Sequence, residues 1–504
     1  MNMSLTSLPP ADNSSRHLKI YWLLIAAAVI RLWVMPMQAS LWLDETVTYW
    51  SAYKGIAAAI TRSQFWPGQN MVYTMLAALM IRLAGPSEIV LRLPSLLAAI
   101  ATAWLLFRFG TDLFDKETGV LATLVFVSLD EMMRTAANAR PYAIALLLVV
   151  GSTLLLVRYL RTGTTAYLLA YVPTAAAIVY FHLLFAIIYP VHALYVFTEY
   201  RAGTLRIPWR NLVLGALLVG LLLSPLAWNT LQVKGVSVQS SVGGTPDSER
   251  LLTAFLPPVL ASCVFLGWVT SLFIPGMTAK PMAGMRSATA VLLSSWLILP
   301  VLLLFSLARF TAFKIFVPRY YLPMFPALAL LIGWGIRSLV PPRARVWVGA
   351  CVVLGAMASF AGFHFRVSPF PDDWRAAASS VKQAGIDKDT PVLFRSGLIE
   401  TTTIRWNTNV DPDSPLLCPL SRYPVPGRPI LLPFRLKQVN LSYMENVTSS
   451  ILEPSSRFVL MARHDDEFRA WLVGRLSNRG FVATDLYESE WLSVTLFTKS
   501  AINR

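Results

Sequence analysis

The sequence predicts a polytopic α-helical membrane protein with about eleven transmembrane helices, followed by a C-terminal extracytoplasmic α/β domain. The chain of 504 residues is 55% hydrophobic and only 14% charged, whereas soluble domains carry about 25% charged residues. Apolar runs of about 20 residues, enough to cross a bilayer, recur between Leu18 and Gly362. The last part, 363–504, is charged and interrupted by prolines, so it predicts a domain outside the membrane.

The net charge of +16 is concentrated in the apolar part of the chain. Residues 1–362 hold 26 Lys and Arg against 12 Asp and Glu, whereas residues 363–504 hold 17 against 15. Positive residues in short loops between membrane helices stay in the cytoplasm and so set the orientation. The charge therefore predicts a topology in the membrane and does not indicate a nucleic-acid partner.

The basic loops predict a cytoplasmic N-terminal segment, 1–17, and a transmembrane domain, 18–362. The first helix covers Leu18–Met37 and leads to a long outer loop, 38–88. Within that loop, the stretch Met71–Ala84 predicts an interfacial helix, because a crossing there would turn every later basic loop outward.

Ten further membrane helices are predicted after this loop. They cover Ile89–Phe107, Thr118–Met133, Pro141–Val157, Ala166–Phe181, Leu183–Thr198, Leu212–Leu231, two segments between Arg250 and Leu307, Tyr320–Leu339 and Val346–Gly362. An odd number of crossings takes 363–504 to the outer side of what we expect to be a bacterial inner membrane.

The tail, 363–504, has the pattern of a small α/β domain. The predicted helices are Trp374–Ala384 and Asp465–Arg479, and the predicted strands are Pro391–Phe394, Arg457–Ala462 and Leu492–Thr498. The proline-rich segment Asp411–Pro433 predicts irregular loop.

Two pairs of adjacent acidic residues lie on the predicted outer side. Asp44 and Glu45 follow the first helix in an aromatic segment, where a carboxylate could accept a proton from a hydroxyl group. The alternative is that Asp44 caps a helix beginning at Glu45. Asp130 and Glu131 end the predicted third helix, and the alternative for them is a solvated turn with local ion pairs.

Cationic and polar residues accompany these acids at the predicted outer face. Arg92, Arg140 and Arg319 could bind a phosphate bidentately or extend towards lipid headgroups. His182 lies between two apolar runs, where a hydrogen-bonded structural role is the alternative to a functional one. The sequence contains no HExxH, CxxC, glycine-rich phosphate loop or serine elbow, so it indicates no protein metal site and no nucleotide or protease chemistry.

Several of these segments together resemble the bacterial C-type (GT-C) glycosyltransferases, in the branch of protein O-mannosyltransferases and aminoarabinose transferases. The matching motifs are Leu41-Trp-Leu-Asp-Glu45, Gly85-Pro-Ser-Glu-Ile-Val-Leu-Arg-Leu-Pro-Ser95, Asn138-Ala-Arg-Pro-Tyr142, His182, Pro318-Arg-Tyr-Tyr-Leu-Pro323 and Asp372-Asp-Trp-Arg-Ala-Ala377. The resemblance covers nearly the whole predicted membrane part in order, but only the beginning of the tail.

The resemblance implies an enzyme, a hexosyl- or pentosyltransferase that takes a monosaccharide from a polyprenyl-phosphate carrier at the outer face, with inversion. The acceptor, whether lipid, glycan or protein, is not indicated, and a divalent metal is compatible with the family. The implied catalytic residues are Asp44 and Glu45. The implied phosphate-binding residues are Arg140, Arg319, Tyr320 and Arg92, and the implied acceptor-side residues are Asp130, Glu131, Asn138 and His182.

Two other classes of protein compete with this interpretation. A membrane transporter or a flippase for lipid-linked oligosaccharides would favour inverted repeats and polar groups at the bilayer midplane. Here the polar residues are predicted at the outer rim, and no internal repeat is visible. A membrane anchor that merely presents the tail would leave Asp44, Arg140 and Arg319 without a role.

Overall fold

The structure is a computed structural model. It describes residues 13–64, 70–205, 207–232, 244–272, 284–361, 368, 370–398, 400–401, 410–463 and 466–500. Helices dominate as far as residue 361, and a five-stranded sheet follows in the tail.

The helices of the first half of the chain are α1 (Asn13–Ala28), α2 (Leu43–Ala52), α3 (Ile56–Ser63), α4 (Met71–Ala84), α5 (Glu88–Leu113), α6 (Lys116–Val127), α7 (Asp130–Ala136), α8 (Tyr142–Thr162), α9 (Thr165–Phe181) and α10 (Ile188–Arg201). Those that follow are α11 (Trp209–Gln232), α12 (Ser248–Phe255), α13 (Pro258–Leu272), α14 (Ser287–Phe310), α15 (Phe325–Leu339), α16 (Pro342–Ala356), α17 (Trp374–Gln383), α18 (Cys418–Arg422), α19 (Gln438–Val447) and α20 (Asp466–Leu476). The strands are β1 (Pro391–Arg395), β2 (Arg428–Leu431), β3 (Arg457–Arg463), β4 (Phe481–Glu488) and β5 (Leu492–Lys499).

Within the described residues, seven helical segments are long and apolar enough to cross a bilayer, or eight if the bent pair α12 and α13 forms one span. Three shorter apolar helices, Met71–Ala84, Thr165–Phe181 and Ala344–Ser359, also occur. The chain is therefore a multi-pass membrane protein of the predicted fold class. Its eleven crossings and its orientation stay predictions.

One predicted membrane helix is shorter than expected. The apolar run Thr118–Met133 predicts a continuous helix, but α6 ends at Val127 and a separate helix, α7, begins at Asp130. Leu129 has extended backbone and caps α7. The two acidic residues therefore open a new helix, where negative charge is favoured by the helix dipole.

The interfacial stretch forms a helix over the predicted residues, Met71–Ala84. Asn70 caps it by accepting a hydrogen bond from the backbone N–H of Tyr73 at 2.8 Å. Gly85 follows with a φ of 80°, a conformation that favours glycine and ends the helix. Its location at the membrane surface stays a prediction.

The chain divides into two compact units. The helical unit comprises Met1–Pro36, Pro94–Ala137 and Pro141–Val367, and the mixed unit comprises Met37–Leu93, Asn138–Arg140 and Ser368–Arg504. The described residues of the predicted first outer loop, 38–88, thus belong to the same unit as the tail.

Small residues allow close helix packing in the helical unit. A Cβ atom built on Gly333 of α15 would lie 2.7 Å from the backbone nitrogen of Ala122 in α6. Membrane helices associate through such close approaches because lipid supplies no hydrophobic driving force between them. A larger side chain at this glycine would force the two helices apart.

The sheet of the mixed unit has the strand order β2-β1-β3-β5-β4. The first three strands are parallel, while β5 is antiparallel to both β3 and β4. Every residue of β1 is buried, as expected for a parallel strand that is covered on both faces. Trp374 of α17 and Phe394 of β1 pack in one core with Trp42, and α19 and α20 pack on a second core.

The structure confirms most of the elements predicted in the tail. Trp374–Ala384, Pro391–Phe394, Arg457–Ala462 and Leu492–Thr498 correspond to α17, β1, β3 and β5. The helix predicted from Asp465 is α20, although Asp465 itself lies outside the described residues. The prediction of irregular loop for Asp411–Pro433 was wrong in part, because α18 and β2 lie within it. The elements β4 and α19 were not predicted.

Candidate active site

Asp44 is the second residue of α2, a helix that begins at Leu43 after the cap residue Trp42. Asp44 is half-buried, whereas the residues on both sides of it are buried. A helix N-terminus stabilises negative charge on such a side chain. The carboxylate therefore lies at a position that suits an anion and is still accessible.

Glu45, the neighbouring acid, is fully buried, and it stabilises the first turn of the helix. Its Oε2 accepts the backbone N–H of Trp42 at 3.1 Å, which is the glutamate half of a capping box. Its Oε1 accepts the backbone N–H of Ala139 at 2.6 Å. The helix-capping role that the sequence suggested for Asp44 is thus carried by Glu45.

Arg92 of α5 pairs with Glu45 in the interior of the mixed unit, and both side chains are 0% exposed. Its Nε and one terminal nitrogen donate to the two carboxylate oxygens at 2.7 and 2.5 Å. Its remaining N–H groups donate to the carbonyls of Met37, Ala39 and Ser40 at 3.2, 2.8 and 2.9 Å. All five guanidinium donors are therefore engaged within the unit.

The short segment Asn138–Arg140 lies beside the N-terminal turn of α2. Asn138 Oδ1 accepts a hydrogen bond from Trp42 Nε1 at 3.2 Å. Arg140 donates to the carbonyl of Asp44 and to Thr48 Oγ1, both at 3.4 Å. The structure thus brings Asp44 close to Asn138 and Arg140, which lie more than 90 residues later in the sequence.

Two tail residues lie near these groups, and sequence reasoning missed both. The pKa of Glu400 is above its ordinary value, because desolvation by the surrounding protein and the negative charge of Asp44 disfavour its ionised form. Cys418 is buried with Sγ 3.3 Å from Thr46 Oγ1, and burial raises the pKa of its thiol. No motif in the sequence pointed to either residue.

In the helical unit, the structure brings His182 next to Tyr320, which belongs with Arg319 to a different predicted motif. The ring of half-buried His182 lies 5.6 Å from that of Tyr320 and 5.1 Å from that of Tyr142. The guanidinium of Arg319 lies 5.4 Å from the Tyr320 ring, within cation–π range. The rings of Tyr142 and Tyr320 therefore lie beside the histidine, and the cation lies against the second of them.

Asp130 and Glu131 form the first turn of α7. Asp130 pairs with Arg134 one turn later, at 3.2 Å, so the local ion pair suggested as the alternative for these residues is present. Burial, together with the negative charge of Asp130, raises the pKa of Glu131 to about 7. Glu131 could therefore exchange a proton near neutral pH.

The described part of the chain contains no group of three or more His, Cys, Asp or Glu side chains that could hold a metal ion. Of the acids nearest Asp44, Glu45 already has Arg92 as its counter-ion. The arrangement around α2 instead offers one accessible carboxylate next to an arginine.

Residues 69–228 match a family model described as dolichyl-phosphate-mannose-protein mannosyltransferase. This match covers about a third of the chain and includes the segments around Arg92 and Asn138–Arg140. No curated protein sequence is significantly similar to the chain.

The fold is similar to solved structures of ArnT from Cupriavidus metallidurans. The crystal structure bound to undecaprenyl phosphate is 12% identical over 95% of this chain and 98% of that chain, with a TM-score of 0.58. The apo crystal structure is 13% identical over 94% and 97%, with a TM-score of 0.52. These two structures confirm the predicted fold. Together with the family match over residues 69–228, they confirm the predicted resemblance to the C-type glycosyltransferases. The family model that matches residues 69–228 describes a mannosyltransferase, not a transporter or a flippase.

Proposed function

We propose that this chain is an integral-membrane glycosyltransferase that moves a monosaccharide from a polyprenyl-phosphate carrier to an acceptor at the extracytoplasmic face. The observation that carries the proposal is the family match over residues 69–228. The fold agrees with it, since ArnT has a similar architecture and was crystallised with undecaprenyl phosphate. A lipid-bound sugar reaches the enzyme through the bilayer, so no nucleotide-binding fold is needed.

The proposed reaction is a single displacement at the anomeric carbon. The oxygen of an acceptor hydroxyl forms a bond to the anomeric carbon, while the bond between this carbon and the phosphate oxygen breaks. This displacement inverts the configuration at the carbon. Asp44 takes the hydroxyl proton, and the lipid leaves as polyprenyl phosphate. Because phosphate is a good leaving group, the enzyme mainly has to position the reactants, supply a base and stabilise charge.

Arg140 in the mixed unit, and Arg319 and Tyr320 in the helical unit, are each proposed as phosphate-binding residues. Arginine suits this role because its planar guanidinium can donate two parallel hydrogen bonds to phosphate oxygens. Asp130, Glu131 and His182 are kept as candidates for contacts to the acceptor, whose chemical class stays open.

Three of the residues that the sequence predicts as catalytic, phosphate-binding or acceptor-side residues are better explained as structural residues. Glu45 and Arg92 form an ion pair in the interior of the mixed unit, and Asn138 accepts a hydrogen bond from Trp42. We assign to these residues the support of Asp44 and Arg140, and no direct contact with the donor.

The test is a transfer assay with purified protein in lipid nanodiscs. Labelled polyprenyl-phosphate sugar, UDP-sugars and GDP-sugars are offered in turn, with a membrane extract as the source of acceptor. We expect label to leave only the lipid-linked donor, at a rate that falls about 10²–10⁴-fold in Asp44→Asn, the range for loss of a general base. Asp247→Asn is the matched control, because this exposed acid caps α12 and asparagine caps equally well.

Two results would contradict the proposal. Transfer from a nucleotide sugar without any lipid carrier would exclude the proposed donor. Near-normal turnover of Asp44→Asn would leave the proposed donor unaffected, but it would show that a different carboxylate is the base.

A further inference from the structure

The tail holds the chain immediately before Asp44. The Oδ2 atom of Asp372 accepts the backbone N–H of Leu43 at 3.2 Å. Leu43 is the first residue of α2, and its N–H is one of those that have no partner within the helix. The residue directly before Asp44 is therefore anchored by a carboxylate that lies 329 positions later in the chain.

Asp372 is itself held in a single orientation. Nε of Arg463, the last residue of β3, donates to its two carboxylate oxygens at 2.9 and 3.1 Å. Asp372 is 1% exposed, and the Arg463 guanidinium lies 4.8 Å from the ring of Trp491. The sheet thus fixes the arginine, the arginine fixes the aspartate, and the aspartate fixes the first turn of α2.

Further contacts join the same two segments. The ring of Trp42 stacks on that of Phe370, with centroids 4.4 Å apart and planes inclined by 16°. The backbone N–H of Arg375 donates to Ser40 Oγ at 3.2 Å. Three positions before Asp44, namely 40, 42 and 43, are therefore held by the first residues of the tail.

We propose that Asp372, supported by Arg463, is a positioning residue for Asp44, and that one function of the tail is to hold this carboxylate in place for transfer. The inference rests on the proposed role of Asp44 as the base. A base works only when its oxygen lies within hydrogen-bond reach of the proton it accepts. Displacement of a reacting group by about 1 Å can cost about 100-fold in rate.

The first experiment compares Asp372→Asn with Arg463→Lys in the full-length protein. Because Asp372 does not bind the donor under this proposal, the Asp372→Asn variant should lose turnover about 10- to 100-fold while the KM for the lipid-linked donor changes less than about twofold. Arg463→Lys should lower turnover in the same way but less, because lysine keeps the charge and loses the fixed geometry. Asp387→Asn is the matched control, since this tail aspartate is 79% exposed and pairs with Arg457.

The second experiment is a double-mutant cycle with Asp44→Asn. If Asp372 acts through Asp44, then adding Asp372→Asn to Asp44→Asn should lower the residual turnover by less than about twofold. Independent effects would multiply instead, and that result would overturn the proposal. A rise in donor KM at constant turnover would overturn it too, because Asp372 would then act on donor binding.

The failure of this inference can be distinguished from the failure of the proposed function. If Asp44→Asn itself keeps normal turnover, the base has been wrongly assigned. If Asp44→Asn is impaired and both Asp372→Asn and Arg463→Lys turn over normally, the base stands and the positioning role is refuted. Should Asp372→Asn fail to fold, Arg463→Lys decides the question with the same readouts.

Discussion

Replacement of Glu45 by Gln tests whether this buried acid is scaffold or catalyst. The substitution keeps the size of the side chain and removes its charge. Arg92 then remains 0% exposed, with its other donors on three backbone carbonyls, and it loses the carboxylate with which it forms a direct ion pair. Removing one partner of a buried ion pair costs about 3–5 kcal/mol.

This cost should appear as a lower unfolding temperature of the mixed unit. That unit has roughly 200 residues, a size at which 1 kcal/mol shifts the unfolding midpoint by about 2–4 °C. The expected shift for Glu45→Gln is therefore about 10 °C downwards. It can be measured by thermal unfolding of purified protein in detergent, followed by tryptophan fluorescence, because Trp42 and Trp374 lie in the core of this unit.

Asp44→Asn is the natural control because it changes the adjacent carboxylate. Asp44 is half-buried, so its substitution should change stability by less than about 1 kcal/mol while turnover collapses. Glu45→Gln should show the opposite pattern, with low stability and substantial turnover per folded molecule. An unfolding midpoint within about 1–2 °C of the wild type, combined with lost turnover, would refute the scaffold assignment and make Glu45 a catalytic group.

Two further predictions concern the helical unit. Arg319→Lys should raise the KM for the lipid-linked donor and lower turnover, because lysine cannot make the bidentate phosphate contact; unchanged kinetics in Arg319→Ala would exclude this residue from the site. The pKa of Glu131 is raised to about 7, so the unfolded protein ionises this group at a lower pH than the folded protein does. The free energy of unfolding should therefore fall by up to about 3 kcal/mol as pH rises from 4.5 to 7. The unfolding midpoint of Glu131→Gln should therefore fall less between pH 5 and pH 8 than that of the wild type. An equal fall in both proteins would contradict the raised pKa of Glu131.

The sequence predicts the elements of the tail that have strong apolar patterns and misses those at the margins of the sheet. The strands β1 and β3 are buried apolar runs in the middle of the sheet, and such runs can be recognised locally. At one edge, β2 contains Pro429, and a proline is tolerated in an edge strand although it usually indicates loop. At the other edge, most residues of β4 are exposed, so their pattern resembles that of a polar loop.

The chemistry of the candidate site is harder to predict because adjacent residues of one helix can have different partners. Side chains at successive helical positions point about 100° apart, so Asp44 and Glu45 have different surroundings, and of the residues of α2 only Asp44 is half-buried rather than buried. The pattern around α2 indicates that a carboxylate is important there, but it does not say which. That choice depends on Arg92, which lies 47 residues later, and on the backbone N–H of Ala139, which lies 94 residues later. Glu45 receives both contacts, and this distribution of partners leaves Asp44 as the carboxylate that is accessible for chemistry.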